Sequence, residues 1–109
     1  MTIDEVIAEV SKKWATGKWT SIVIAIREAG NSSLGFVGAA NQHDNGLENS
    51  KTRRALKKTM RKGLTPVGII ATSGGKQHLL PLSRSGFSVG RDPETGEQCF
   101  ERRVYHADA

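Results

Sequence analysis

The sequence lacks the features that hold small secreted or membrane-bound proteins together. Cys99 is the only cysteine among 109 residues, so neither a disulfide within the chain nor a cysteine-based metal cluster can form. No apolar run is long enough to span a bilayer. The first residues, MTIDEVIAEVSKKW, carry early acids that a signal peptide does not have. We therefore expect a cytoplasmic protein whose fold depends on its own core.

Acidic residues are also missing from one stretch, SKTRRALKKTMRKG, at residues 50–63. Its segment Lys51 to Lys62 holds seven lysines and arginines in twelve residues. The whole chain has a formal net charge of +5, yet outside this segment nine Lys/Arg are outnumbered by eleven Asp/Glu. The basicity is therefore local, which favours an anionic partner at one surface over a generally cationic protein.

The length and composition of the chain fit one folded domain. A chain of 109 residues can build one hydrophobic core and is too short for two. Apolar residues make up 37% and charged residues 25%, close to the averages of globular proteins. We expect residues 1–109 to form a single ordered domain.

The first half of the chain predicts a helix followed by two strands. Thr2 and Glu5 match a capping box, and Gly17 ends the helix that follows. The run Ile22 to Ile26 is apolar on both faces and predicts an inner strand, while LGFVGAA predicts a second strand antiparallel to it. The apolar stripe of the first helix consists of Ile3, Val6, Ile7, Val10 and Trp14.

The second half predicts another helix and four strands. NQHDNGLENS is polar and predicts a loop, with Asn49 or Ser50 capping a helix that ends at Gly63. A strand in TPVGIIATSGG is expected to begin after Pro66, and QHLLPLSR, GFSVGR and QCFERRVYH supply three more. The fold class is α+β, in the order α-β-β-α-β-β-β-β. We expect a mainly antiparallel sheet of four to six strands with two helices on one face.

The second helix is predicted to segregate its side chains into two faces. A narrow buried stripe contains Thr52, Leu56, Thr59 and Met60, and Arg53 lies at its border. Like charges repel at i,i+3 and i,i+4 spacing, so a helix needed only for structure usually interleaves glutamates. The opposite half carries Lys51, Arg54, Lys57, Lys58, Arg61 and Lys62.

This cationic half has two interpretations. It could be a solvated surface that keeps the protein soluble, or it could meet phosphates or an acidic protein surface, where counterion release favours binding. Within Lys51 to Lys62 there is no Asn or Gln, the residues suited to reading base edges. A nucleic acid would therefore be recognised through its backbone or shape.

A second candidate site is the stretch ATSGGKQH, which follows an apolar strand. Its Ser73, Gly74, Gly75, Lys76 and His78 are residue types found in phosphate-cradling turns. The stretch lacks the spacing G-x-x-x-x-G-K-[ST] of a P-loop, so a plain glycine hairpin is the competing interpretation. Lys76 could also share an anionic ligand with the basic helix.

Aromatic and histidine residues add little further chemistry. Trp14 belongs to the core stripe, whereas Trp19 is the freer of the two and a candidate for base stacking beside lysines. The histidines His43, His78 and His106 have no metal-ligand spacing, and no nucleophile, base and orienting group can be assigned together. We expect no metal, no cofactor and no catalytic residues, which makes an enzyme the least supported class.

These observations predict a small non-enzymatic binding protein that engages nucleic acid or another phosphate-bearing ligand through its basic helix. One alternative is a protein-interaction module, such as a small inhibitor or accessory factor encoded by a phage or mobile element, that docks on an acidic host protein. Another is a nucleotide-capturing protein that uses ATSGGK. No membrane partner is expected. Edge strands such as Phe87 to Gly90 could pair between chains to give a homo-oligomer.

Overall fold

The computed structural model describes residues 1–28, 34–42, 46–47 and 49–102, which form an α+β domain in the predicted order. One short strand is additional, because two residues of the expected loop pair with the end of the second strand. The elements are α1 Ile3–Trp14, β1 Ser21–Glu28, β2 Leu34–Asn41, β3 Gly46–Leu47, α2 Asn49–Arg61, β4 Leu64–Ser73, β5 Lys76–Pro81, β6 Phe87–Arg91 and β7 Gln98–Arg102.

Five strands form an antiparallel sheet in the order β3-β2-β1-β4-β5. The apolar strand β1 lies in the middle, as its sequence predicts. Ile22 and Ile24 are fully buried on the face that carries the helices, and Ala25 is buried on the other face. Because β2 pairs with the two-residue β3 only at Ala40 and Asn41, most of its outer edge has no strand partner within the described residues.

The two faces of the sheet are covered by different elements. Both helices pack on one face and share its main core with β1, β2 and β4. The hairpin of β6 and β7 covers the other face, where Phe100 lies against Gly68 of β4 so closely that a Cβ at Gly68 would overlap the phenyl ring. Arg27 of β1 fixes the hairpin, because its Nη1 donates to the Phe100 carbonyl oxygen at 3.3 Å.

Strand β4 begins two residues before Pro66 and not after it, which corrects the sequence-based boundary. The proline is accommodated at a β-bulge. Ala25 pairs with Gly68 and Ile26 pairs with Pro66, so Val67 has no partner on β1. A bulge tolerates a residue without an N–H. It also directs the Val67 side chain into a second core, which lies between the sheet and the β6–β7 hairpin.

The helix boundaries follow the capping signals closely. Thr2 and Glu5 form the predicted capping box at α1, with each side chain accepting from the backbone N–H of the other. Helix α2 begins at Asn49. Asn49 and Ser50 are therefore helical residues and not the N-cap that the sequence predicted. The helix ends at Arg61, and Gly63, two residues further on, has a φ of 84° that suits glycine. Within the described ranges, neither helix is long and apolar enough to cross a membrane.

Candidate nucleic-acid interface

Helix α2 is attached to the sheet by a narrow apolar stripe. Leu56 is fully buried and Thr52 nearly so, while Thr59 and Met60 are half-buried. The Thr52 Oγ1 hydroxyl donates to the carbonyl oxygen of Gly38 on β2 at 3.0 Å. This stripe fixes how the helix is turned, and therefore which of its side chains face the solvent.

All the candidate cations of α2 are exposed. Because they alternate with the buried stripe at helical spacing, they spread over the half of α2 that faces away from the sheet. We call this surface the cationic face, and it consists of Lys51, Arg54, Lys57, Lys58, Arg61 and Lys62.

Arg53, at the border of the stripe, differs from the cationic face. Its Nη1 contacts the Asp4 carboxylate of α1 and ties the two helices together. Within the described part of the chain, it is the α2 residue that forms an ion pair with a carboxylate. The six residues of the cationic face therefore keep their charges available at the surface.

The cationic face is electrostatically unfavourable for the free protein. Arg54 and Lys58 are spaced i,i+4, as are Lys57 and Arg61, and each like-charge pair of this kind destabilises a helix by about 0.2–0.5 kcal/mol. The first turn of α2 contains no acid to offset them. Only the last turn gains, because Lys58 and Arg61 lie where the helix dipole favours positive charge. An anion bound along this face would remove the repulsion.

A groove of about 800 Å³ lies beside the cationic face, between α2 and β2, the strand next to the short edge strand β3. Its size is within the range of sites that hold small-molecule ligands, about 300–1,000 Å³. Lys51 and Lys58 place positive charge along the wall that α2 supplies, and Phe36 is among the β2 residues that line the other side. Phe36 pairs with Ala25 of β1, so its side chain lies on the sheet face opposite to the helices. We call this feature the edge groove. Small residues form part of its lining, namely Gly38, Ala39, Ala40 and Ala55.

Phe36 is a functional candidate that the sequence analysis missed. Its side chain is 57% exposed, and it is the exposed large hydrophobic residue of the described chain. The signal in the sequence was the aromatic residue flanked by Gly35 and Gly38 in LGFVGAA, because glycines have no side chain to pack against its ring. Assigning that signal required knowing that β2 lies near the edge of the sheet.

The stretch ATSGGKQH forms the hairpin between β4 and β5. Gly74 and Gly75 have φ angles of 57° and 76°, the pattern of a two-residue turn of type I′. Ser73 pairs with Lys76 across the turn. Strand β5 forms one edge of the sheet, and β3 with β2 forms the other. Lys76 therefore lies at the opposite edge of the sheet from the edge groove.

Trp19 and His78 contact each other at one end of the sheet. Their ring centroids are 5.3 Å apart and the planes are tilted by 59°. Trp19 is half-buried and packs against the main core, whereas His78 is exposed. The tryptophan therefore offers less free ring surface for stacking than Phe36 does.

Cys99 lies half-buried on β7. Burial and the neighbouring Glu101 carboxylate raise the pKa of its thiol, and the sulfur lies 3.8 Å from Glu101 Oε1. A raised pKa keeps the thiol protonated at neutral pH, where it is a weak nucleophile. The geometry gives no catalytic role to this residue.

Neither a metal centre among the described residues nor a matching protein identifies a site. In the portion that the structure describes, no group of three His, Cys, Asp or Glu residues could hold a metal ion; His43 and His106 lie outside it. Comparisons of the chain with protein-family models, with curated proteins and with solved structures found no match. The function is therefore inferred from the geometry of α2 and the edge groove.

Proposed function

We propose that this chain is a small non-enzymatic protein that binds nucleic acid through the cationic face of α2. One observation carries the proposal: five exposed cations on one helix and Lys62 directly after it form a single surface and, within the described residues, none of the six is matched by a carboxylate of the protein. Each cation that contacts a phosphate releases condensed counterions, which makes binding favourable at low salt.

The residue types of this face favour contacts to phosphates. Arginine offers a planar fork for two oxygens, and lysine offers a mobile point charge. Because Lys51 to Lys62 contain no Asn or Gln, base edges in the major groove have no partner of the usual kind there. Binding is expected to depend on charge and backbone shape and only weakly on base sequence.

The test is a filter-binding titration with random DNA, random RNA and mononucleotides at two salt concentrations. The wild-type protein is expected to bind the polymers and to lose affinity as salt rises. A variant with Arg54, Lys57, Lys58 and Arg61 all changed to Gln should lose that binding. Any binding that persists should show a salt slope lower by about 3 to 4, because four phosphate contacts are gone.

A matched control removes charge elsewhere. Lys12, Lys13 and Lys18 lie in or just after the last turn of α1, and changing these to Gln should leave both the affinity and the salt slope close to wild type. Equal affinity of the wild type and the α2 variant would contradict the proposal. Binding of mononucleotides alone would favour the ATSGGK hairpin, and binding of neither ligand would favour an acidic protein surface as the partner.

A further inference from the structure

We infer that the outer edge of β2 binds an extended peptide as an added antiparallel strand, and that acidic and apolar residues alternate in this peptide. The acidic side chains meet Lys51 and Lys58 on the helix side of the sheet, and the apolar side chains cover Phe36 on the other side. The inference goes beyond nucleic-acid binding and does not depend on it. It rests on the backbone of β2 and on what lies at its two faces.

The middle of β2 directs backbone groups away from the sheet. The carbonyl oxygen of Gly38 accepts from the Thr52 hydroxyl of α2 at 3.0 Å, so it points away from β1. Backbone groups alternate in direction along a strand, and Phe36 lies two residues before Gly38 in a regular ladder with β1. The N–H and C=O of Phe36 therefore also point outward. In the described part of the chain, no strand pairs with Phe36 or Gly38 at this edge, because β3 reaches only Ala40 and Asn41.

The bond from Thr52 leaves Gly38 able to pair. A carbonyl oxygen has two lone pairs and can accept a second hydrogen bond. The edge groove also leaves space for an added strand, because it runs along β2 beside α2.

The helix side of this edge is positively charged. Lys51 and Lys58 are about two helical turns apart, and both line the edge groove. Among the residues that the structure describes, no Asp or Glu lines it. Side chains of a strand point alternately to the two faces of the sheet, so every second residue of an added strand would point towards the two lysines. A carboxylate at these positions is attracted, whereas a basic side chain is repelled.

The opposite side of this edge is apolar. Phe36 pairs with Ala25 of β1, which is buried in the second core, so the Phe36 ring lies on the sheet face away from the helices. Phe36 is 57% exposed, and a Cβ at Gly38 would meet no atom within 4 Å. The Cβ of a residue opposite Phe36 on an added strand would lie about 4.5–5.5 Å from the Phe36 Cβ. A β-branched side chain at that position would cover the ring.

Charge favours an acidic peptide over a second copy of this chain. Two β2 strands that paired antiparallel would join the two sheets and place both α2 helices on one face, beside the junction. Lys51 and Lys58 would then approach the same lysines of the second copy, and like charges oppose such a contact. An acidic strand meets no such repulsion.

The experiment measures peptide binding by fluorescence anisotropy at low salt. The probe is a labelled peptide of about eight residues in which glutamate and valine alternate. We expect this acidic peptide to bind, and a peptide with lysine in place of glutamate not to bind. Lys51→Glu combined with Lys58→Glu should weaken the acidic peptide by about 2- to 30-fold, the effect of losing two exposed ion pairs. The same variant should bind the basic peptide.

A matched control reverses two charges outside the edge groove. Lys57 and Lys62 are exposed but do not line it. Lys57→Glu combined with Lys62→Glu changes the net charge equally and should weaken the acidic peptide less than the groove variant does. An equal loss would mean that the peptide senses only the total charge, which would overturn the inference.

Backbone methylation of the peptide separates strand pairing from charge. The residue opposite Phe36 exchanges hydrogen bonds with it and shares its face, so the N–H groups of the valines are the ones that point to β2. N-methylation of the valines removes these donors and should abolish binding, although the charge of the peptide is unchanged. N-methylation of the glutamates alters N–H groups that point away from β2, and it should leave the affinity close to that of the unmodified peptide.

Phe36→Ala tests the apolar face. It should weaken the acidic peptide by about 1.5- to 5-fold, the effect of losing one cross-strand aromatic pair. The affinity for nucleic acid should stay unchanged, because the ring lies on the sheet face opposite to α2. Since Phe36 is exposed, the variant should fold, and its thermal unfolding curve verifies this. In the wild-type protein, hydrogen exchange of the Phe36 N–H should slow when the peptide binds.

Three further results would overturn the inference. These are equal affinity for the acidic and basic peptides, equal affinity for the valine-methylated and unmodified peptides, and no binding of the acidic peptide. A protein that forms dimers and releases the peptide as its own concentration rises would show that a second copy takes the edge instead. The peptide and the nucleic acids are separate probes, so failure of either proposal leaves the other standing.

Discussion

The two helices pack on the same face of the sheet but differ in whether their charged side chains have partners within the protein. In α1 the acids are used by the fold: Asp4 contacts Arg53 of α2, and the Glu9 carboxylate accepts from the Ser83 backbone N–H at 3.0 Å. Glu5 completes the capping box and lies 3.5 Å from Arg84. In α2 the cations of the cationic face are turned to solvent.

This difference separates charged groups that have partners within the fold from charged groups that have none among the described residues. The charges of α1 join it to α2 and to the segment after β5, so they contribute to stability. The charges of α2 repel one another and oppose helix formation. A local preference that conflicts with the fold is expected at functional sites, and in this molecule the conflict is concentrated on the cationic face.

The largest expected effect tests how each helix is anchored. Helix α1 buries three aliphatic side chains, Val6, Ile7 and Val10, whereas Leu56 is the large side chain that α2 buries completely. Leu56→Ala should lower the free energy of unfolding by about 2–5 kcal/mol, because it leaves a cavity under the helix. Urea denaturation measures this loss.

The control for the Leu56 prediction is Val10→Ala in α1. This change removes fewer atoms, and Val6 and Ile7 remain to hold the helix, so its cost should be smaller. If Leu56→Ala cost less than Val10→Ala, α2 would not depend on its narrow stripe, and the orientation of the cationic face would need another explanation.

The next prediction reverses one charge in each helix. Lys57 has Arg53, Arg54 and Arg61 at i−4, i−3 and i+4, so Lys57→Glu turns three like-charge pairs into opposite-charge pairs. We expect the free protein to gain about 1 kcal/mol at low salt. Glu9→Lys in α1 should instead destabilise it, because the Ser83 N–H loses its acceptor. Thermal unfolding at low ionic strength compares the two variants.

Added salt sharpens this charge-reversal test. The gain from Lys57→Glu should shrink as the Debye length falls from about 30 Å at 0.01 M to about 8 Å at 0.15 M. A loss of stability in Lys57→Glu would mean that the protein itself compensates the cationic face. The same variant should bind nucleic acid more weakly, so stability and binding would move in opposite directions.

The sequence was sufficient for the elements whose signals are local. The capping box at Thr2, the apolar run of β1 and the glycine after α2 each specify a boundary or a position through neighbouring residues alone, and the structure confirms them. The segregation of α2 into two faces was predictable for the same reason, since helical spacing decides it.

The features that were missed depend on residues far away in the chain. Pro66 lies inside β4 because a bulge opposite β1 removes the need for its N–H. The edge groove exists because α2 packs beside a strand whose outer edge is largely uncovered in the described structure, and only the strand order reveals this. Phe36 was therefore an ordinary strand residue in the sequence, and became a candidate once its exposure was known.

The smallest expected effect concerns acid. The Thr2 backbone N–H, followed by the Thr2 hydroxyl and Arg84, lowers the pKa of Glu5 below its ordinary value of 4.5. A carboxyl whose pKa is lower in the folded state adds stability above its unfolded pKa, and this stability is lost as the pH falls through the folded value. Because α2 contains no carboxylate, of the two helices α1 is the one that can contribute such a loss.

Glu5→Gln tests this contribution. Glutamine can keep the hydrogen bond to the Thr2 N–H but has no proton to gain, so the variant should lose less stability than the wild type between about pH 6 and about pH 3. Urea unfolding at a series of pH values measures the difference. Parallel stability curves for the two proteins would show that the capping box does not titrate, and that the acid response comes from other carboxyl groups. A shallower curve for the variant would assign part of the acid response to the first turn of α1, and so confirm that the charges of this helix belong to the fold.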